Sequence, residues 1–256
     1  MMLKRISVVS SILTLFMYTS AVADELKMCY ESWEPFQSKV NDQHIGLQVE
    51  LVSKALTSLG HTVSYRQLPY ARCIKEVQSG VSDGILLTSD EEPLIPTTVT
   101  PIFWEIGFVT RPDWKEASYT TLSAFNGKKA GLVHSYEYGD AIKQASQNWK
   151  VEMTADAESN LRKLSVGRID FTLVDLTWAQ IFAKREEIDI KILSPTFTST
   201  PQFLYFNKEN EQYVAPLSQA IQNLIEDGTV DELYQRFLGS SYAQILARNE
   251  ATFKAE

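Results

Sequence analysis

Gln78-Ser-Gly-Val-Ser-Asp-Gly-Ile-Leu-Leu-Thr88 and Ser165-Val-Gly-Arg-Ile-Asp-Phe-Thr-Leu-Val-Asp175 carry one pattern twice: a helix end, a Gly, an Asp and a short apolar run. Gly80 and Gly167 stand where a helix C-terminus favours a left-handed residue, and the run after each has the length and composition of a buried parallel strand. Thr88 and Asp175 then fall at equal offsets, eight residues past each Gly. Ligands of open α/β sheets bind outside the carboxyl ends of the strands, so two such ends predict two similar lobes with a crevice between them.

The chain opens with Lys4 and Arg5, an apolar run from Ile6 to Tyr18, and Ala21-Val-Ala23 ahead of Asp24-Glu25. This is the pattern of a cleaved secretory signal over residues 1–23. The apolar run is too short for a stable span, and no second stretch of ~20 apolar residues follows, so no membrane insertion is expected after cleavage. No Cys stands at the cleavage point, which argues for a soluble exported protein over a lipid-anchored one. Losing Lys4 and Arg5 takes 24 basic residues to 22, against 32 acidic, for a formal charge of −10. Such a surface disfavours nucleic acid and anionic membranes.

Cys29 and Cys73 both lie in the first half. In an oxidising compartment an even pair reads as a disulfide that would clamp the crevice rim; the other reading is two buried small residues that never meet.

Periodicity predicts strands over 26–30, 62–66 and 84–87 with helices over 45–59 and 71–79 between them, the alternation of a doubly wound sheet. An extended segment over 102–110 leaves this lobe. The second lobe reads as strands over 129–133, 150–153, 171–174 and 190–193, with helices over 122–128, 138–147, 158–166 and 177–185. A turn-rich crossing over 194–201 leads back to a strand over 202–207. The expected organisation is 24–109 with 198–256 in one α/β lobe and 110–197 in the other, joined by two crossing strands. A helix over 212–226 ends at Asp227-Gly228, and Thr229 with Glu232 has the spacing of a capping box that starts a helix running to Phe237.

The run Asn223-Leu-Ile-Glu-Asp-Gly-Thr-Val-Asp-Glu-Leu-Tyr-Gln-Arg-Phe-Leu-Gly239 resembles the closing signature of family 3 bacterial extracellular solute-binding proteins, the polar amino-acid receptors of ABC importers. Trp33-Glu-Pro-Phe36, Gly46-Leu-Gln-Val-Glu50, the two Gly-to-Asp pairs and Leu122 through Gly131 fall where that family places similar segments. The resemblance covers essentially the whole chain after the leader. It implies a type II periplasmic binding fold: a monomeric clamp that closes on a small polar solute, amino-acid-like or a cationic amine, and serves a membrane ABC permease or a receptor.

By the same resemblance, Trp33 and Tyr70 hold positions where the family stacks rings on its ligand; the alternative is ordinary packing. Asp175 matches the position whose carboxylate holds an α-ammonium group, and it also precedes a helix as an N-cap would. Ser135 and Tyr136 fall where hydroxyl residues open a second-lobe helix, as anion partners or as plain caps. Thr88 completes the first-lobe strand end. The departure comes after it: Thr88-Ser-Asp-Glu-Glu-Pro93 has three acids and no Arg where the family's receptors usually fork a ligand carboxylate. Arg72 is the best substitute and Arg111 the next, each otherwise a solvated surface residue. The remaining alternative is a basic ligand with no carboxylate there.

Catalysis has little support. His44, His61 and His134 are scattered away from any metal-ligand spacing, and no nucleophile elbow, phosphate loop or zinc motif occurs, so neither metal nor cofactor is expected. A cyclohexadienyl-dehydratase-like enzyme on the same fold is the alternative, and the missing Arg counts against it.

Overall fold

The computed structural model describes residues 24–253 apart from Asp90, Glu91, Ser135 and Glu137. The leader, Ser135 and two of the three acids after Thr88 thus lie outside the described residues. The chain begins with β1 (Glu25–Tyr30), a hairpin of β2 (Ser38–Val40) and β3 (Gln43–Ile45), α1 (Leu47–Ser58), β4 (Thr62–Gln67), α2 (Tyr70–Gln78), β5 (Gly84–Thr88) and β6 (Ile95–Pro96). Next come β7 (Phe103–Thr110), β8 (Lys129–Val133), α3 (Gly139–Ala145), β9 (Lys150–Thr154), α4 (Ala157–Ser165), β10 (Phe171–Asp175), α5 (Leu176–Arg185), β11 (Lys191–Ile192) and β12 (Thr198–Pro201). β13 (Phe203–Phe206) leads to α6 (Val214–Glu226), α7 (Thr229–Leu238) and α8 (Tyr242–Glu250).

Two sheets result. The first runs β4-β1-β5-β13-β6 and the second β11-β7-β10-β8-β9. In each, three parallel strands are followed by an antiparallel one: β4-β1-β5 with β13, and β9-β8-β10 with β7. The apolar runs that predicted β5 and β10 are buried along almost their whole length. Each sheet packs on its own core, around Met28, Leu51 and Tyr234 in the first lobe and around Phe108, Phe125 and Leu173 in the second.

The repeated Gly and Asp have matching roles. Gly80 and Gly167 take left-handed φ values of 74° and 71° as their helices end. The Asp83 carboxylate accepts from the Lys27 N–H at 2.7 Å, and Asp170 accepts from the Lys129 N–H at 2.8 Å. Each Asp therefore ties the turn before the third strand to the start of the first.

β7 and β12 carry the chain between the lobes. They pair antiparallel from Phe103↔Pro201 to Ile106↔Thr198. The predicted turn-rich crossing is thus in part a regular strand.

Two expectations are corrected. Thr229 is the first residue of α7, and its N-cap is Gly228, with no side-chain cap bond. The Asp227 carboxylate, one residue further upstream, accepts from the Thr229 N–H at 2.9 Å, which leaves Thr229 no capping role. The capping box instead joins Ser241 and Gln244 and opens α8, a helix the periodicity did not predict. The expected helix over 122–128 is a single 3-10 turn, Leu122–Phe125.

α8 ties the crossing together. Arg248 donates to Glu105 of β7 at 2.7 Å, Asn249 bonds Ser199 of β12, and Phe253 packs on Tyr119 and Phe197 of the second core. The end of the chain therefore touches both lobes, although it follows the last first-lobe strand.

Cys29 and Cys73 form a disulfide with Cα atoms 5.8 Å apart, joining the end of β1 to the first turn of α2. Closing a loop of 44-residue separation stabilises the fold by about 4 kcal/mol in the chain-entropy description.

Glu105 is 2 % exposed, and removal of its partner leaves a buried carboxylate without a countercharge. Arg248→Ala is expected to cost about 3 kcal/mol in denaturant unfolding. An unchanged midpoint would show that the pair contributes nothing to the joint.

Candidate functional site

A cavity of about 640 Å³ lies between the lobes, within the range of small-molecule sites. It collects the carboxyl ends of β1, β5 and β10, as the strand-end rule requires. Trp33, Tyr70, Thr88, Tyr136 and Asp175 all line it.

Trp33 is set by a tight turn at the start of α1. Its carbonyl accepts from the N–H groups of Phe36 and Gln37 at 2.9 and 3.0 Å. The carbonyls of Pro35 and Phe36 in turn accept the N–H groups of Leu47 and Gln48 at 3.1 and 2.8 Å, capping α1 with backbone alone. Gly46 allows that approach, since a Cβ there would stand 2.3 Å from the Phe36 oxygen and φ is +128°. The indole, packed on Phe36 with centroids 4.5 Å apart, donates Nε1–H across the cleft to Asp175 at 3.3 Å.

Asp175 ends β10 and caps α5, its Oδ1 accepting from the Trp178 N–H at 2.8 Å. Its two oxygens thus face two donors, one in each lobe. Burial pushes its carboxyl pKa up to about 6; the Trp178 and Trp33 hydrogen bonds oppose this, and the charge of Glu105 adds to it. Burial, then the charges of Asp175 and Asp156, also push up the Tyr136 phenol. No described lining residue is Lys, Arg or His.

On the first lobe the Tyr70 hydroxyl meets Thr88 Oγ1 at 2.6 Å, so strand end and helix start are joined. Leu87, also in the lining, has φ +44°, a strained value for a Leu at the end of a strand.

Arg72 is not among the residues brought to the cavity. It lies outside the cavity, 65 % exposed, with its guanidinium 3.5 Å from Glu76 one turn along α2. The i,i+4 partner holds it on the outer face. Arg111 pairs with Asp113 and Asp170 at the far side of the second lobe. Neither is placed to fork a carboxylate.

The sequence reading missed Glu31, Gln37, Trp104, Asp156, Glu158 and Trp178 in the lining. Glu31 follows β1 directly and Asp156 stands two residues past β9, so the rule that selected Thr88 and Asp175 would have selected both.

Two α/β lobes of matching topology, a double crossing and a polar-rimmed cavity between them define a clamp for a small solute. The chain belongs to the bacterial extracellular solute-binding proteins, family 3, whose family model matches residues 26–240. It is 23% identical over 213 residues to the L-cystine-binding protein TcyJ of Escherichia coli K12, covering 82% of this chain and 80% of that one. The unliganded, open L-cystine solute receptor of Neisseria gonorrhoeae superposes with a TM-score of 0.72 at 21% identity, covering 86% of this chain and 94% of that one. The open substrate-binding domain 2 of Lactococcus lactis GlnP gives 0.69 at 17%, covering 85% and 96%. All three are solute- or substrate-binding proteins or domains by name.

The raised Asp175 pKa sets a direction for stability. The folded state holds this proton more tightly than the unfolded chain, so the contribution is full below about pH 4 and is lost as pH rises to about 6. Asp175→Asn keeps an oxygen for the α5 cap but cannot ionise. Thermal unfolding from pH 4 to 7 should show the wild type losing roughly 3 kcal/mol relative to this variant. Parallel curves would mean that Asp175 is not desolvated.

Proposed function

We propose that this chain is a periplasmic receptor that closes on a small solute bearing an ammonium group and presents it to a membrane ABC permease. Family membership supports the binding role and the permease. The signal-like leader over 1–23, the family's extracellular setting and the absence of a membrane-spanning helix among the described residues support the compartment. In this reading 24–109 with 198–256 turns against 110–197 about β7 and β12, with α8 laid over the joint. TcyJ is an L-cystine-binding protein, and an amino-acid-like solute agrees with that kinship.

Asp175 carries the reading. It is an acidic side chain at a strand end, short of countercharge, with Trp33 of the facing lobe already on one oxygen. An incoming ammonium would restore the ionised form and add a contact that only the closed clamp completes, which is what drives closure. Trp33 and Tyr70 provide faces for the rest of the solute, and Thr88 and Tyr136 hydroxyl groups around it.

Calorimetric titration of the chain from residue 24 with amino acids, cystine and amines tests this. Asp175→Ala should weaken the tightest solute about 100-fold, the ~3 kcal/mol of a charge-assisted hydrogen bond. Unchanged affinity in a folded variant would remove Asp175 from the site.

A further inference from the structure

Resting on that reading of the cavity, we propose that the preferred solute is an aliphatic amine with at least two cationic groups and no carboxylate. Four acidic side chains, Glu31, Asp156, Glu158 and Asp175, line the cavity, and no described lining residue is basic.

Helix N-termini are the other usual seat for a carboxylate. Here the starts of α1, α2, α4 and α5 already bond protein acceptors. The Pro35 and Phe36 carbonyls take the first N–H groups of α1, and Glu31 accepts from the Tyr70 N–H of α2 at 3.3 Å. Asp156 accepts from Ser159 of α4 at 2.7 Å, and Asp175 from Trp178 of α5 at 2.8 Å. Three of these four caps are carboxylates, which turns the helix ends from anion sites into cation sites.

Gln37 points the same way. It lines the cavity, is 3 % exposed, and donates Nε2–H to the Glu31 carbonyl at 3.0 Å. That bond fixes the amide, and its Oε1 is left buried with no partner among the described residues. That unmatched acceptor adds to the negative potential of this wall, which favours a cationic solute. Trp33, Trp104, Tyr136 and Trp178 surround the space with rings whose faces attract cations.

Two cationic groups follow from placement. Asp175 ends β10, whereas Asp156 and Glu158 stand at the start of α4 and Glu31 on the opposite lobe. A single ammonium offsets only one of these four carboxylates, and a second cationic group meets the charge that remains.

Matched pairs that differ by one carboxylate decide the matter: 1,5-diaminopentane with lysine, 1,4-diaminobutane with ornithine, and agmatine with arginine, titrated calorimetrically with cystine and neutral amino acids alongside. Each decarboxylated member is expected to bind at least tenfold tighter than its amino acid. 1-Aminopentane should bind at least tenfold more weakly than 1,5-diaminopentane. An amino acid that equals or surpasses its amine, or cystine binding where no amine does, overturns this inference and leaves the receptor for amino acids intact. Equal affinity for mono- and diamine overturns the two-cation requirement. Saturable binding of nothing in the set overturns both this inference and the ammonium-solute reading beneath it.

Discussion

A carboxylate held at the end of β10 without a cation beside it governs this molecule. Asp175 is placed by the turn into α5, and its bond to the Trp178 N–H makes it part of that helix's start. Its other oxygen reaches the Trp33 indole across the cleft. The group therefore belongs to the architecture of one lobe and to the contact with the other. Its cost is electrostatic: burial disfavours the charge, and only hydrogen bonds offset it. A bound cation would change the balance most, because it would supply the Coulombic attraction that no side chain of the described lining supplies.

The surrounding fold explains why such a site can be sustained. Each lobe is a small doubly wound sheet with its own core, and the Asp83 and Asp170 ties repeat one solution to the problem of starting the third strand. The cavity lies between the lobes beside the paired β7 and β12, with Trp104 of β7 in its lining. α8 adds a buried Glu105–Arg248 pair and an aromatic contact to that joint.

Much of this was legible from residue order. β5 and β10 announced themselves as apolar runs after a Gly and an Asp, and the residues that end them were found at the cavity. The Cys29–Cys73 bridge followed from compartment and count. Local competition hid other features. Arg72 could be placed on α2, but its capture by Glu76 one turn away depends on which face of the helix looks outward. Thr229 and Glu232 had capping-box spacing, yet Asp227 took the N–H first. The Ser241 and Gln244 box that opens α8 is present in the sequence, but only Ile245 of that helix is buried, so its apolar residues carry little core signal. The Trp33 to Asp175 bond spans 142 residues and both lobes, and no local pattern could announce it.

Direct titration of the Asp175 carboxyl carbon by NMR, in the free chain and in the chain saturated with its tightest calorimetric solute, tests the central claim that this acid awaits a cation. The free protein should titrate near 6, and the complex at least one pH unit lower as the bound ammonium favours the ionised form. A free-chain value near that of an ordinary exposed Asp, or one that saturation leaves unmoved, would contradict the account.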